Sequence, residues 1–276
     1  IDLQDIGARP YTYISTALLA MRAAAGQGLP VLILDRPNPI GGVHVQGPVL
    51  DTAFSSFVGM LPVALRHGMT FGELARFGNQ RLSIGAALTV VPALDWARSR
   101  WFDQTDLPWI RPSPNMPDLE SATHYPGTVL FEATNLSVGR GTAVAFQVIG
   151  APWLDAAEVV RAVGMVPGVL LHDTLVTPAA PPDGKYGGQT IPAVRLLVTD
   201  RDAYDPVAAA IVLLAALVDL QRDSLVVQAD RLARLAGTAA LWEAIRRGDS
   251  PGEIVASWQQ ELGEFRRERE KYLIYQ

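Results

Sequence analysis

Thr16-Ala17-Leu18-Leu19-Ala20-Met21-Arg22-Ala23-Ala24-Ala25, then Gly26-Gln27-Gly28-Leu29-Pro30, then Val31-Leu32-Ile33-Leu34 reads as a helix, a break and a strand in immediate succession. The first segment has the small and apolar content of a helix, glycine and proline end it, and four consecutive apolar residues suit a parallel strand covered on both faces. Upstream, the chain reads as opening inside another strand at Ile1. Together the three pieces make a β-α-β unit of a doubly wound sheet, whose ligands sit beyond the carboxyl ends of the strands. Two polar clusters, residues 4–13 and 35–38, fall at those ends. The fold class expected is therefore α/β, with a further N-terminal part of the sheet expected before Ile1.

Downstream, Asp35-Arg36-Pro37-Asn38-Pro39-Ile40-Gly41-Gly42 is a stiff loop, because its two prolines fix φ and hold their preceding residues extended. Thr70, with Glu73 three residues on, predicts a capping box and a helix over 70–77. Residues 88–91 read as a strand, and four prolines within 108–117 mark a connection between domains. The second half predicts a helix over 155–163, strands over 169–176 and 194–199, a buried helix over 206–220 and a helical tail over 241–272 broken at Gly248-Asp249-Ser250-Pro251. Helices segregated from a few strands indicate α+β. The expected division is 1–122, the α/β part, and 123–276, a smaller α+β domain.

Composition excludes several classes of function. Of 276 residues, 49% are apolar and only 18% charged, which is a folded and not a disordered composition. A formal charge of −5 provides no basic face for a phosphate backbone, so nucleic acid is not an expected partner. With no cysteine there is no disulfide, thiolate metal site or cysteine nucleophile. The longest apolar run, 207–218, is too short to span a bilayer. The chain holds no G-x-S-x-G elbow, phosphate-binding loop, H-E-x-x-H or G-x-G-x-x-G after a strand. His44, His67, His124 and His172 are too dispersed to form a metal triad by spacing. Neither a metal nor a cofactor is expected.

What remains is a set of loops rich in carboxylate, amide, guanidinium and phenol groups, a mixture suited to a polyhydroxylated ligand. Their sequences are D-x-Q-D-x-G-A-R-x-Y-T-Y at 2–13, L-D-R-P-N-P-I at 34–40, R-H-G-M-T-x-G-E-L-A at 66–75, S-P-N-M-P at 113–117, Y-P-G-T at 125–128, E-x-T-N-x-S-x-G-R-G-T at 132–142 and G-A-P-W at 150–153. In this order and spacing the chain resembles the bacterial exo-β-N-acetylmuramidases, over essentially its whole length. The resemblance implies a Rossmann-like N-terminal domain, a smaller C-terminal domain and an active site in the cleft between them. It also implies removal of N-acetylmuramic acid (MurNAc) from the non-reducing end of peptidoglycan fragments such as MurNAc-GlcNAc. A cell-wall substrate in turn favours a secreted or periplasmic protein.

The same resemblance implies an upstream stretch carrying a Gly-Pro-Glu-His-Gly-like motif, whose glutamate is the family's proposed catalytic residue. It leaves a second group to be found here. The candidates are Glu132, then Asp5, then Tyr11 and Tyr13, since tyrosine replaces a carboxylate nucleophile in some glycosidases. His67 is a candidate proton relay. The lactyl carboxylate of muramic acid calls for a guanidinium, with Arg9, Arg36 and Arg140 available, while Asn38, Asn115 and Asn135 suit hydroxyl and acetamido groups. One departure stands out. Where the family has a glutamate after the G-R-G-T turn, this chain has Gln147.

Each assignment has a structural rival. Asp5 can cap a turn and pair with Arg9, Tyr11 or Tyr13 can serve packing, Asn38 can make an Asx turn, and Glu132 can form a salt bridge with Arg140 at the end of a buried strand, 129–131. Two rival functions also remain: a peptidoglycan- or carbohydrate-binding protein without catalysis, and a nucleotide-dependent enzyme, which the missing glycine fingerprint disfavours.

Overall fold

The computed structural model describes residues 1–276. In chain order the elements are α1 (Tyr13–Gly26), β1 (Val31–Leu34), β2 (Gln46–Val49), β3 (Ala64–Arg66), α2 (Phe71–Arg81), β4 (Leu88–Val91), α3 (Leu119–Thr128), β5 (Val148–Gly150), α4 (Ala156–Val163), β6 (Val169–Val176) and β7 (Ile191–Val198). Five helices follow: α5 (Pro206–Leu220), α6 (Ala229–Ala236), α7 (Ala240–Arg247), α8 (Pro251–Ser257) and α9 (Gln259–Arg269). The fold is mixed α/β and divides into two compact units, 1–112 with 258–276, and 113–257.

In the first unit β1 and β4 pair in parallel, Val31 opposite Leu88 through Leu34 opposite Val91. The backbone of Ile1 lies along the other edge of β1, where its amino group donates to Leu32 O at 2.6 Å and its carbonyl accepts from Leu34 N at 3.0 Å. Helix α1 followed by β1 is therefore present, with Ile1 hydrogen-bonded along β1 on the side where the preceding strand is expected. The expectation that β1 is covered on both faces is corrected: Val31 and Ile33 are buried, but Leu32 and Leu34 are 50% and 43% exposed. An all-apolar run does not report which of its faces is packed. Thr70 and Glu73 form the expected capping box, and it starts a longer helix than predicted, α2.

The compact units are bounded by spatial packing. The break falls within the proline-rich connection, and the tail returns to the first unit. The reason is visible in its contacts. Phe265 and Tyr272 set their rings against Phe77 with centroids 6.3 and 5.1 Å away. Glu73 Oε1 accepts from Ile274 N at 2.7 Å, and Tyr275 donates to Asp35 at 2.7 Å.

In the second unit β7 lies between β5 and β6, all antiparallel. Helix α5 begins with Pro206 at its first turn behind the Asp205 cap, and buries Val207, Ile211 and Leu214. Burial of each such side chain stabilises by about 1.5–3 kcal/mol. Gly127 lets α3 approach α5, since a Cβ there would lie 1.9 Å from Pro206 O. The strand expected over 129–131 is corrected: the run is helical, a 3-10 segment, Val129–Ala133, continuing α3. A short buried apolar run has no periodicity that separates strand from helix.

Candidate active site

The motif residues of the first unit lie on three loops, 2–13, 35–42 and 66–70. Asp5 and His67 are only 3% and 1% exposed. Asp5 Oδ2 accepts from Gly7 N at 2.7 Å. Met69 N donates to His67 Nδ1 at 3.1 Å, which leaves the proton of the neutral ring on Nε2. That nitrogen lies 3.5 Å from Asp5 Oδ2, beyond a strong hydrogen bond. Asp5 Oδ1 and His67 Nε2 have no hydrogen-bond partner.

Arg9 is enclosed as well. Its Nη1 donates to Pro48 O and Val63 O at 3.0 and 2.9 Å, and burial lowers its pKa to about 9. Asn38 makes the Asx turn, Oδ1 accepting from Ile40 N at 3.2 Å while Nδ2 donates to Met69 O at 2.9 Å. Tyr11 and Tyr13 meet edge to face with centroids 5.0 Å apart, and the Tyr13 hydroxyl donates to Pro112 O. Arg36 alone faces outward, in a two-point pair with Asp2 at 2.5 and 2.9 Å. Beside it a cleft of about 520 Å³ opens at the carboxyl ends of β1 and β4, lined by Asp2, Asp35, Arg36, Asp95, Arg100 and Gln104 among others. This is the ligand position that a parallel sheet predicts.

Five residues outside the candidate set hold these loops: Asp35, Glu73, Arg98, Arg269 and Tyr275. Asp35 accepts from Thr70 Oγ1, Gly72 N and the Tyr275 hydroxyl, each at 2.7 Å. Burial, followed by the neighbouring Asp35 charge, pushes the Tyr275 phenol well above its ordinary pKa. Glu73 pairs with Arg98 at 2.8 Å, and burial raises the Glu73 pKa against the opposing pull of that guanidinium. Arg269 Nη1 donates to Gly42 O, His67 O and Gly68 O at 3.1, 3.1 and 2.8 Å. Gly68 has φ +61°, and a Cβ there would lie 2.5 Å from that guanidinium.

In the second unit Glu132 is accessible. Its Oε1 accepts from Arg140 Nε at 2.6 Å and lies 2.5 Å from Arg140 Nη2, with 13% and 22% of the two side chains exposed. Arg231 is 3.9 Å from Oε2. The Arg140 guanidinium also lies over the Phe146 ring at 4.8 Å. Asn115 Oδ1 accepts from Gly141 N at 3.1 Å, on the same glycine-rich turn. Asn135 is turned elsewhere, bonding Ser224 O and Val226 N at 2.9 Å each. Lys185 donates to Thr134 O and Leu136 O at 2.7 and 2.8 Å, and Tyr186 to Asn135 O at 2.6 Å, so together they pin the 134–136 segment. Lys185 is one of only two lysines, the one signal that marked it in the sequence. Gln147 is internal, with Nε2 donating to Asp118 Oδ1 and Ser121 Oγ at 2.8 Å each. No group of three or more His, Asp or Glu side chains is arranged to hold a metal ion, and no helix is long and apolar enough to cross a membrane.

Residues 1–120 match the family domain described as Exo-beta-N-acetylmuramidase NamZ, N-terminal, and residues 123–275 match Exo-beta-N-acetylmuramidase NamZ, C-terminal. The chain belongs to this family. Among NamZ relatives, the peptidoglycan beta-N-acetylmuramidase NamZ of Bacillus subtilis (strain 168) is 42% identical over 277 residues. That alignment covers 99% of this chain and 66% of the relative, so the chain spans just under two thirds of the relative's length. Two solved DUF1343 family proteins from Bacteroides fragilis NCTC 9343 share the fold. One is 28% identical with a TM-score of 0.91, covering 99% of this chain and 73% of the other. The second is 33% identical with a TM-score of 0.81, covering 99% and 74%.

Proposed function

We propose that the protein is an exo-β-N-acetylmuramidase, hydrolysing the β-glycosidic bond of a non-reducing-end MurNAc in peptidoglycan fragments such as MurNAc-GlcNAc. The observation that carries this reading is the match to both NamZ domains in order, with 42% identity to a named peptidoglycan β-N-acetylmuramidase over 99% of the chain.

Within this reading Glu132 is the second catalytic group. Hydrolysis needs a proton donor at the leaving oxygen and a carboxylate that activates water or stabilises positive charge at the sugar ring. A carboxylate bonded to Arg140 through one oxygen, with its other oxygen 3.9 Å from Arg231, suits the second role. Arg140 and the exposed Arg36 are the guanidinium groups that a lactyl carboxylate can reach. Asn115, whose Nδ2 is unused within the protein, is the amide for a hydroxyl or acetamido group. Asp5, Arg9, Asn38 and His67 are enclosed, and their role is to shape the loops of the first unit. Tyr13 shares that role through Pro112, and Tyr11 through its packing.

The test is release of MurNAc from MurNAc-GlcNAc by the protein together with the upstream stretch that the resemblance implies, and by the Glu132→Gln variant of the same protein. The expected loss is about 10³-fold in kcat, close to 4 kcal/mol of transition-state stabilisation. Binding without release by the unaltered protein would sink the hydrolase reading and leave a carbohydrate-binding protein. Full turnover by the variant would remove Glu132 from the chemistry.

A further inference from the structure

The motif Gly150-Ala151-Pro152-Trp153 has no part in the site just described. Gly150 closes β5 against β7, where a Cβ would lie 2.7 Å from Pro192 O, and Ala151 N donates to that same carbonyl at 3.2 Å. Leu154 N then turns back to Ala151 O at 3.1 Å, and Asp155 caps α4 by accepting from Glu158 N at 2.8 Å. The tight turn leaves Trp153 on one wall of a cleft of about 480 Å³, whose other walls include Pro152, Asp155, Asp173, Leu175 and Pro192.

We propose that this cleft binds a neutral N-acetylhexosamine ring, an N-acetylglucosamine residue of a glycan fragment, and discriminates against muramic acid. Its volume lies within the range of about 300–1,000 Å³ typical of small-ligand sites. Trp153 is half-buried, yet its indole stacks on no other ring and its N–H donates to nothing in the protein. On the facing strand the exposed Asp173 carboxylate makes no hydrogen bond or ion pair within the protein, whereas Asp155 is already committed to its helix. Leu175, 67% exposed, and the two prolines complete an apolar surface. An aromatic face, an unused N–H donor and an unused carboxylate acceptor are the complement of a pyranose, which has an apolar face and a rim of hydroxyls.

The charge of the lining decides which pyranose. Asp155 and Asp173 are its only charged residues, with no Arg, Lys or His among the walls. A lactyl carboxylate placed here would meet like charge with no counter-ion, so MurNAc is disfavoured and N-acetylglucosamine is not. The inference rests on the reading that peptidoglycan fragments are the ligands, but it requires no hydrolysis.

The experiment uses the full chain labelled with 5-fluorotryptophan. The Trp153 fluorine resonance is assigned by its loss in Trp153→Phe. Titration with N-acetylglucosamine is expected to move it with a Kd of about 10 mM, and N-acetylmuramic acid to need at least about fivefold higher concentration. Asp173→Asn should narrow that ratio towards one. A resonance that stays still up to about 50 mM N-acetylglucosamine, or that answers both sugars alike in the unaltered protein, overturns the proposal. An unchanged ratio in Asp173→Asn overturns the part given to that carboxylate. MurNAc release measured on the same sample reports separately on the hydrolase reading.

Discussion

Each unit contains a glutamate–arginine pair, and the two pairs are used differently. Glu73 and Arg98 sit at 0% and 11% side-chain exposure, and the carboxylate also accepts from Thr70 N, Ile274 N and Tyr275 N, so its lone pairs are saturated. Glu132 and Arg140 are partly open to solvent at 13% and 22%, and Arg231 lies 3.9 Å from Glu132 Oε2. A saturated, enclosed ion pair is part of the architecture, whereas an unsaturated, reachable one retains capacity for a ligand. The same two residue types give a scaffold in one unit and a candidate reactive group in the other, and the difference lies in how many other donors surround the carboxylate.

The largest expected effect breaks this contrast directly. Glu73→Ala leaves Arg98 buried without its partner and should lower the unfolding free energy by about 3–5 kcal/mol in urea titration, while Glu132→Gln should change it by less than about 1 kcal/mol. Equal losses would mean that both pairs are architectural. Next comes Gln147→Glu, which replaces an amide donor 2.8 Å from Asp118 Oδ1 with a second carboxylate. A loss of about 1–3 kcal/mol is expected, visible as a lower midpoint in thermal melts, and a stabilised variant would show that the Asp118 contact is unimportant.

A smaller effect depends on pH. His124 is fully buried against Tyr204 and Glu120, and burial lowers its pKa below the ordinary 6.5. The unfolded chain therefore takes up this proton first as pH falls. The stability that His124 contributes is complete above pH 6.5 and is lost as pH drops below that value. Melting curves of the protein and of His124→Gln between neutral and mildly acidic pH should converge in slope only above that point. Parallel curves throughout would refute the assignment. The smallest effect is at Arg36, whose pair with Asp2 is 37% and 46% exposed. Arg36→Ala should cost less than about 1 kcal/mol and less still at high salt. A larger loss would make this pair architectural too.

Much of the fold was legible because periodicity and capping are local. Thr70 with Glu73 carried its own start signal for α2, the apolar content of 206–220 marked α5, and the helix, break and strand of 16–34 were written in consecutive residues. The return of the tail was not legible, since nothing near Tyr275 records that its partner is Asp35, 240 positions earlier. Nor could the sequence show which motif residues face inward. Asp5, Arg9, Asn38 and His67 belong to strings as polar as the one containing Glu132, but only tertiary contacts decide whether such a group ends at a backbone carbonyl or at solvent. The structural rival foreseen for Asn38, the Asx turn, is present, and so is the Glu132–Arg140 bridge.

The return of residues 258–276 to the first unit also bears on how the protein comes into being during synthesis. Residues 113–257 make a continuous stretch and can organise as soon as they clear the ribosome. The first unit, although translated earlier, waits for Arg269, Ile274 and Tyr275 to complete the bonds to Gly68, Glu73 and Asp35. Until then Glu73 and Arg98 are nascent charges without their full shell. Of the two units, the one translated earlier is thus the later to be finished, and the loops at 35–42 and 66–70 take their final form only when the tail arrives.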